Sequence, residues 1–368
     1  MRVLIVDDSP VMRLLLASVL SHEGYEVREA ESGEQALQLL MAYTPDIITM
    51  DVHMPGIDGF ETVARILEKY ALPVVILTAS ADVTAAATAM RALEVGALAV
   101  LEKPSGPDAA NFSQHIDGLL RTLRTMAQVK IVRRPRKPVL ATGALLDDAQ
   151  DSTQWVRAHT QASTQLVAIA ASAGGPVALK TLLQKLQPPC PWPMVLVQHI
   201  ASGFLPSFRS WLGSLSAVPV FIAEQGQTLL PGALYLAPDA QQLGFCAQRQ
   251  VQLRAGVPGE ALCPSADHLF RSVARHFGRQ AIGIQLSGMG RDGAEGLLEL
   301  RHSGALTLVQ DPASAVIDSM PQTAITLQAA QQVLTPENIA ALLNTLATQV
   351  GVRHTEKGGP ECTSTPTF

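Results

Sequence analysis

Five short apolar runs separated by amphipathic stretches constrain the first third of this chain more than any other feature. "RVLIVD", "YEVREA", "DIITMD", "PVVILTA" and "ALAVLEKP" have the length and branched side chains of strands. Between them "VMRLLLASVLS", "SGEQALQLLMAY", "GFETVARILEKY" and "ADVTAAATAMRALEVG" repeat apolar residues at helical spacing. Such a series of βα units predicts a doubly wound parallel sheet over residues 1–125, with function gathered at the carboxyl ends of its strands. The alternation fails over 126–163, where "KIVRRPRKP" and "ATGALLDDAQDSTQ" carry no sustained period and read as a linker. It resumes over 164–350, with "PMVLVQHI", "AIGIQLSG" and "ALTLVQ" as buried strands and "LYLAPDAQQLGFCAQRQVQLRA" as a β-hairpin excursion. The expectation is an α/β chain of two doubly wound parallel-sheet domains, closed by a disordered tail over 351–368. The two α/β halves share a pattern but no common motif.

Composition narrows the function. A chain of 368 residues suits two domains, and 47% hydrophobic residues mark both as globular. The formal net charge of -5 argues against nucleic acid as a partner, and the basic run 130–138 sits where a solvated linker is expected. Cys190, Cys246, Cys263 and Cys362 are scattered without metal-ligand spacing, so neither a zinc site nor a disulfide framework is indicated. The opening "MRVLIVDDSP" puts acidic residues directly after a short apolar run, so no leader or membrane insertion is expected and the cytoplasm is the default location.

Two sets of residues carry chemistry. In the first sheet Asp7 and Asp8 end one strand and Asp51 ends another, which brings three carboxylates into one crevice if those strands are neighbours. Like charges so close call for a cation, and hard oxygen donors suit Mg²⁺. Thr78 and Lys103, at the ends of the fourth and fifth strands, add a hydroxyl and an ammonium around Asp51. That set suits attack by Asp51 on a phosphoryl donor. Taken singly, each aspartate also reads as a helix cap and Lys103 as a surface lysine.

In the second domain "LVAIAASAGGPVALKTLL" breaks from strand to helix around Ser172. A serine hydroxyl needs an imidazole to take its proton and a carboxylate to orient that imidazole. His199 ends "PMVLVQH", and Asp292 lies in the loop "SGMGRDGAEG" after the strand "AIGIQLSG", where the glycines let the Met289 N–H approach an oxyanion. The order Ser, His, Asp is not that of α/β-hydrolases, and Ala170 breaks the G-x-S-x-G elbow. Each residue also has a plain structural reading: Ser172 as the cap of its own helix, His199 as a core histidine, and Asp292 as the cap of "GAEGLLELRH".

The stretches "IVDDS", "DIITMDVHMPGIDG", "ILTAS" and "LEKP" resemble the response-regulator receiver domain. The resemblance implies Asp51 as phospho-acceptor, Asp8, Asp51 and the His53 carbonyl as Mg²⁺ ligands, Asp7 acting through water, and Thr78 and Lys103 as phosphoryl sensors. Val100 stands where many receivers carry an aromatic. Residues 164–350 resemble the catalytic domain of the chemotaxis protein-glutamate methylesterases, the CheB family, through "AIAASAGGPVAL", "VLVQHIASGFLPSF", "LPGALYLAP", "PSADHLFRSVA", "SGMGRDGAEGL" and "VQDPASAVIDSMPQTA". This second resemblance implies Ser172 as nucleophile, His199 as general acid and base, Asp292 as orienting carboxylate and the Met289 N–H in the oxyanion hole. It also implies hydrolysis of glutamate γ-methyl esters, and of certain glutamine amides, on methyl-accepting chemotaxis receptors. No cofactor serves that chemistry, and a histidine kinase supplies the phosphoryl group. An unphosphorylated receiver is expected to restrict access to Ser172. Ala173, Gln242, Leu262, Cys263 and Ser319 depart from the family pattern around the substrate groove. Two rivals stay open: a phosphorylation-controlled receptor-binding module without turnover, and a serine esterase or amidase of a non-flagellar chemosensory array.

Overall fold

The structure, a computed structural model of the chain, describes residues 1–78, 91–92, 95–106, 109, 112–129, 164–200, 203–257, 260 and 262–356. Most of the helix expected over "ADVTAAATAMRALEVG", most of the expected linker and residues 357–368 lie outside them.

The first unit runs β1 (Arg2–Val6), α1 (Pro10–His22), β2 (Glu26–Ala30), α2 (Gly33–Leu39), β3 (Ile47–Asp51), α3 (Gly59–Lys69), β4 (Val74–Thr78), β5 (Ala99–Glu102) and α4 (Phe112–Met126). Its five strands form one parallel sheet in the order β2-β1-β3-β4-β5. Successive side chains of a strand point to opposite faces, so one strand serves two layers. Leu4, Val6, Ile48, Met50 and Ile76 pack with Ala36, Phe60, Val63 and Ile66 of α2 and α3. Val3, Ile5, Ile47, Val75 and Leu77 pack with Leu16 and Leu20 of α1 and Leu119, Leu120 and Leu123 of α4. Register then fixes the site. Val6 pairs with Met50 and Met50 with Ile76, so Asp7, Asp51 and Thr78 emerge together at one edge.

The second unit runs β6 (Leu166–Ala171), α5 (Gly175–Lys185), β7 (Met194–Gln198), α6 (Leu205–Leu215), β8 (Val220–Ile222), β9 (Leu234–Leu236), β10 (Gln241–Phe245), β11 (Val251–Ala255), α7 (Ala266–His276), β12 (Ala281–Gln285), α8 (Ala294–His302), β13 (Leu306–Gln310), α9 (Ser319–Thr326), β14 (Gln332–Leu334) and α10 (Pro336–Glu356). Seven strands form a second parallel sheet in the order β14-β13-β12-β6-β7-β9-β8. The chain leaves β6 toward β7 on one side and returns to β12 on the other, so the carboxyl end of β6 is the switch point where such sheets form their crevice. One face is covered by α5, α6 and α10 through Leu179, Leu182, Phe208, Leu212 and Leu343. The other is covered by α7 and α8 through Leu269, Phe270, Val273, Leu297 and Leu300, with Leu243, Phe245 and Val251 of the hairpin.

The hairpin expected over 234–255 is real only over β10 and β11, which pair antiparallel. "LYL" instead joins the main sheet, parallel to β7 and β8, because Leu234, Tyr235 and Leu236 are buried on both faces. The last helix passes residue 350 and continues to Glu356. Among the described residues no helix is long and apolar enough to cross a membrane.

Candidate active sites

At the carboxyl edge of the first sheet the ligand atoms of Asp7, Asp8 and Asp51 lie within 4.8 Å of one another. Lys103 Nζ reaches both Asp7 Oδ2, at 2.8 Å, and Asp51 Oδ2, at 2.9 Å. The Val52 N–H donates to Asp51 Oδ1 at 2.7 Å, and the Ser9 N–H to Asp7 Oδ1 at 3.0 Å. Thr78 is buried beside them, while Asp8 and His53 are exposed. Burial pushes the Asp51 carboxyl above its ordinary range although Lys103 offsets part of the effect. Burial would also lower the Lys103 ammonium, but hydrogen bonds to Asp7 and Asp51 outweigh it and hold the ammonium above its ordinary value. Three carboxylates with no sulfur or imidazole among them fit Mg²⁺, and Lys103 supplies the opposing charge.

At the switch point of the second sheet, β6 ends at Ala171 and Ser172 follows, buried. Ser172 is not the helix cap. Gly174, at φ 76°, occupies that position of α5 and turns the chain sharply, with no side chain capping the helix. The His199 N–H donates to Ala171 O at 3.0 Å, which sets His199 beside Ser172. His199 Nε2 lies 2.9 Å from Asp292 Oδ2, leaving Nδ1 as the ring nitrogen not engaged by the carboxylate. Asp292 caps a helix, but not its own. The N-cap of α8 is Gly293, whereas Asp292 accepts from Ser265 Oγ at 2.8 Å, Ala266 N at 2.7 Å and Asp267 N at 3.0 Å at the start of α7. Burial alone would raise its carboxyl, but His199 and those donors outweigh burial and hold it below the ordinary carboxylate range.

Met289 lies in the loop after β12. The Gly288 N–H donates to Ile317 O and the Gly290 N–H to Ser319 Oγ, so the N–H groups on either side of Met289 are engaged. Its own N–H has no partner among the described residues. A Cβ on Gly288 would stand 2.8 Å from Ser172 Cβ and 2.1 Å from Met320 Sδ, so only glycine lets this loop lie against the serine.

Sequence reasoning missed the residues that hold these loops. Three buried glutamines end three apolar strands of the second sheet: Gln198 in "MVLVQ", Gln285 in "AIGIQ" and Gln310 in "LTLVQ". Gln198 Nε2 donates to the carbonyls of Ser172 and His199, Gln285 Nε2 donates to Met320 O, and Gln310 Oε1 accepts from Ser287 N. The signal was one amide at the same end of each run. Gln242, which departs from the family pattern, is likewise buried. It donates to Leu262 O and accepts from Ser265 N, tying the segment before α7 to β10. Leu262 is exposed on the rim of a groove of about 830 Å³ that runs between α7 and the hairpin to Asp292 and Met289.

The two units meet over Ser172. A cavity of about 280 Å³ has Leu98, Val100, Thr122 and Met126 on one wall and Ser172, Ala173, His199 and Phe204 on the other. Beside it Leu98 and Val129 form a buried cluster with Ile317, against which Met126, Ala173 and Met289 pack.

Two open sheets, one ending in an acidic pocket and the other in a serine, imidazole and carboxylate, define a receiver joined to a serine hydrolase domain. Family models agree: the response regulator receiver domain matches residues 3–112 and the CheB methylesterase matches residues 167–343. The protein-glutamate methylesterase/protein-glutamine glutaminase 3 of Hahella chejuensis is 46% identical over 350 residues, covering 95% of this chain and 99% of that one. A namesake in Syntrophus aciditrophicus is 40% identical, covering 95% and 99%. The solved CheB catalytic domain of Thermotoga maritima is 31% identical, covering 50% of this chain and 99% of that one, with a TM-score of 0.48. The chain belongs to the CheB family of receiver-linked protein-glutamate methylesterases.

Proposed function

We propose that this chain hydrolyses glutamate γ-methyl esters on methyl-accepting chemotaxis receptors and deamidates receptor glutamines, as an enzyme of chemotactic adaptation. Ser172 Oγ attacks the ester carbonyl while His199 takes its proton, and Asp292 holds the imidazole and balances the imidazolium. The Met289 N–H receives the oxyanion. Collapse expels the methoxy group, protonated by His199, as methanol. Water, activated by the same imidazole, then attacks the acyl-serine and frees the glutamate carboxylate. An amide follows the same course with ammonia as the leaving group. The His199–Asp292 bond at 2.9 Å, sharing a site with a serine at the switch point, is the observation that carries this reading.

In the receiver, over residues 1–125, the Asp51 carboxylate takes the phosphoryl group from a chemotaxis histidine kinase. Asp7, Asp8, Asp51 and the His53 carbonyl would hold Mg²⁺, which when bound neutralises the oxygens being transferred. Lys103 and Thr78 sense the new group. The wall formed by Leu98, Val100 and Met126 supports the view that the unphosphorylated receiver keeps a receptor helix from Ser172, and that phosphorylation frees it. Methanol release from methyl-labelled receptor membranes tests the whole reading. Release should require Ser172, vanish in Ser172→Ala, and rise with Mg²⁺ and a small phosphodonor in wild type but not in Asp51→Asn. No release from folded wild type would sink it.

A further inference from the structure

We infer that Ser319 is a positioning residue for the esterase reaction, its hydroxyl clamping the loop that presents the Met289 N–H to Ser172. The inference rests on the reading of Ser172 as nucleophile and Met289 as oxyanion donor. Ser319 opens α9. Its Oγ donates to Gly288 O at 3.0 Å and accepts from Gly290 N at 3.0 Å. One hydroxyl thus uses both its capacities on the two residues that bracket Met289.

The two brackets are unequal. Gly288 is held independently, its N–H donating to Ile317 O at 3.1 Å and its carbonyl accepting from Met320 N at 3.0 Å. On the far side, Gly290 sits at φ 96° and is exposed, with no side chain to pack. Among the described residues Ser319 is what holds its N–H. A peptide flanked by two glycines has many accessible conformations, and a donor serves an oxyanion only if it is already aimed. Loss of the clamp would leave Met289 present but swinging about the Gly288 anchor. Among the described residues the Ser319 hydroxyl bonds to Gly288 and Gly290 and not to Ser172 or His199, so its effect must pass through the loop.

The test uses full-length chain with Mg²⁺ and a small phosphodonor, and reads methanol release across receptor-ester concentrations. Ser319→Ala should lower kcat about tenfold, a fraction of the 10²–10³ that deletion of an oxyanion donor costs. KM and the melting temperature should stay at the wild-type values. Ser319→Thr, which keeps the hydroxyl, should recover most of kcat. Wild-type kcat in Ser319→Ala overturns the inference, as does a loss of kcat that Ser319→Thr leaves unrepaired. Ser172→Ala runs alongside: methanol release persisting in that variant would remove the nucleophile reading itself, a failure distinct from that of the clamp.

Discussion

Asp292 joins two demands in one carboxylate, since it holds His199 and also closes the N-terminus of α7. Its removal should therefore cost stability as well as rate. Asp292→Asn puts an amide among donors that expect an anion, and about 2 kcal/mol of unfolding free energy should be lost, the scale of a charged hydrogen bond in a buried place. The pH dependence has a definite sign. A carboxyl held below its ordinary range binds its proton less readily folded than unfolded, so its contribution is complete above the unfolded value of about 4 and drains away as pH falls through that range. Urea unfolding of both proteins at pH 7 and near pH 3 should show the gap narrow at the lower pH, and a constant gap would contradict the assignment. Ser172, His199, Asp292, Asp51 and Lys103 could be singled out from sequence only as sets at strand ends and through the motifs around them, since each alone also reads as a cap, a core histidine or a surface lysine. Gln198, Gln310 and Ser265 could not, since an amide or hydroxyl that satisfies a loop backbone means nothing until the loop is in place.

The elements were legible in proportion to how much apolar surface each buries. β1, β3, β4, β6, β7, β12 and β13 are near-continuous apolar runs because helices cover both faces of a parallel sheet. The three-residue strands β8 and β14 escaped notice, since "VFI" and "QVL" are too short to show a period and exist through pairing with β9 and β13. "LYL" was drawn into the hairpin by proximity, although its burial on both faces belongs to a sheet interior. The start of α7 offers a test at this scale. Ser265 caps the helix by accepting from His268 N and also donates to Asp292. Ser265→Ala should cost about 1–2 kcal/mol in chemical denaturation, the range of a lost cap, and should slow ester hydrolysis through a freer Asp292. Stability at the wild-type value would mean that α7 holds its N-terminus without the cap.

For the molecule as a whole, the interface around Leu98 joins the two chemistries. It is small and apolar: Leu98 and Val129 meet Ile317, with Met289 and Ala173 alongside. Val100, where an aromatic was the family's habit, leaves room for the cavity above Ser172. A charge at its centre should separate the units. Leu98→Asp should raise receptor demethylation several-fold without phosphodonor and leave little further gain when the donor is added, because a few kcal/mol is enough to shift such a balance. If basal turnover is unchanged while the protein stays folded, the covering wall is not what limits the enzyme. The arrangement also carries a consequence for synthesis. Domains fold as units in the order in which the ribosome releases them. The first unit is therefore free to fold before Asp292 has been made, and Ser172, His199 and Asp292 come together against a wall that already exists. On the proposed reading, a newly made molecule starts with its esterase held at the basal rate, and the phosphoryl group sets how far it rises above that.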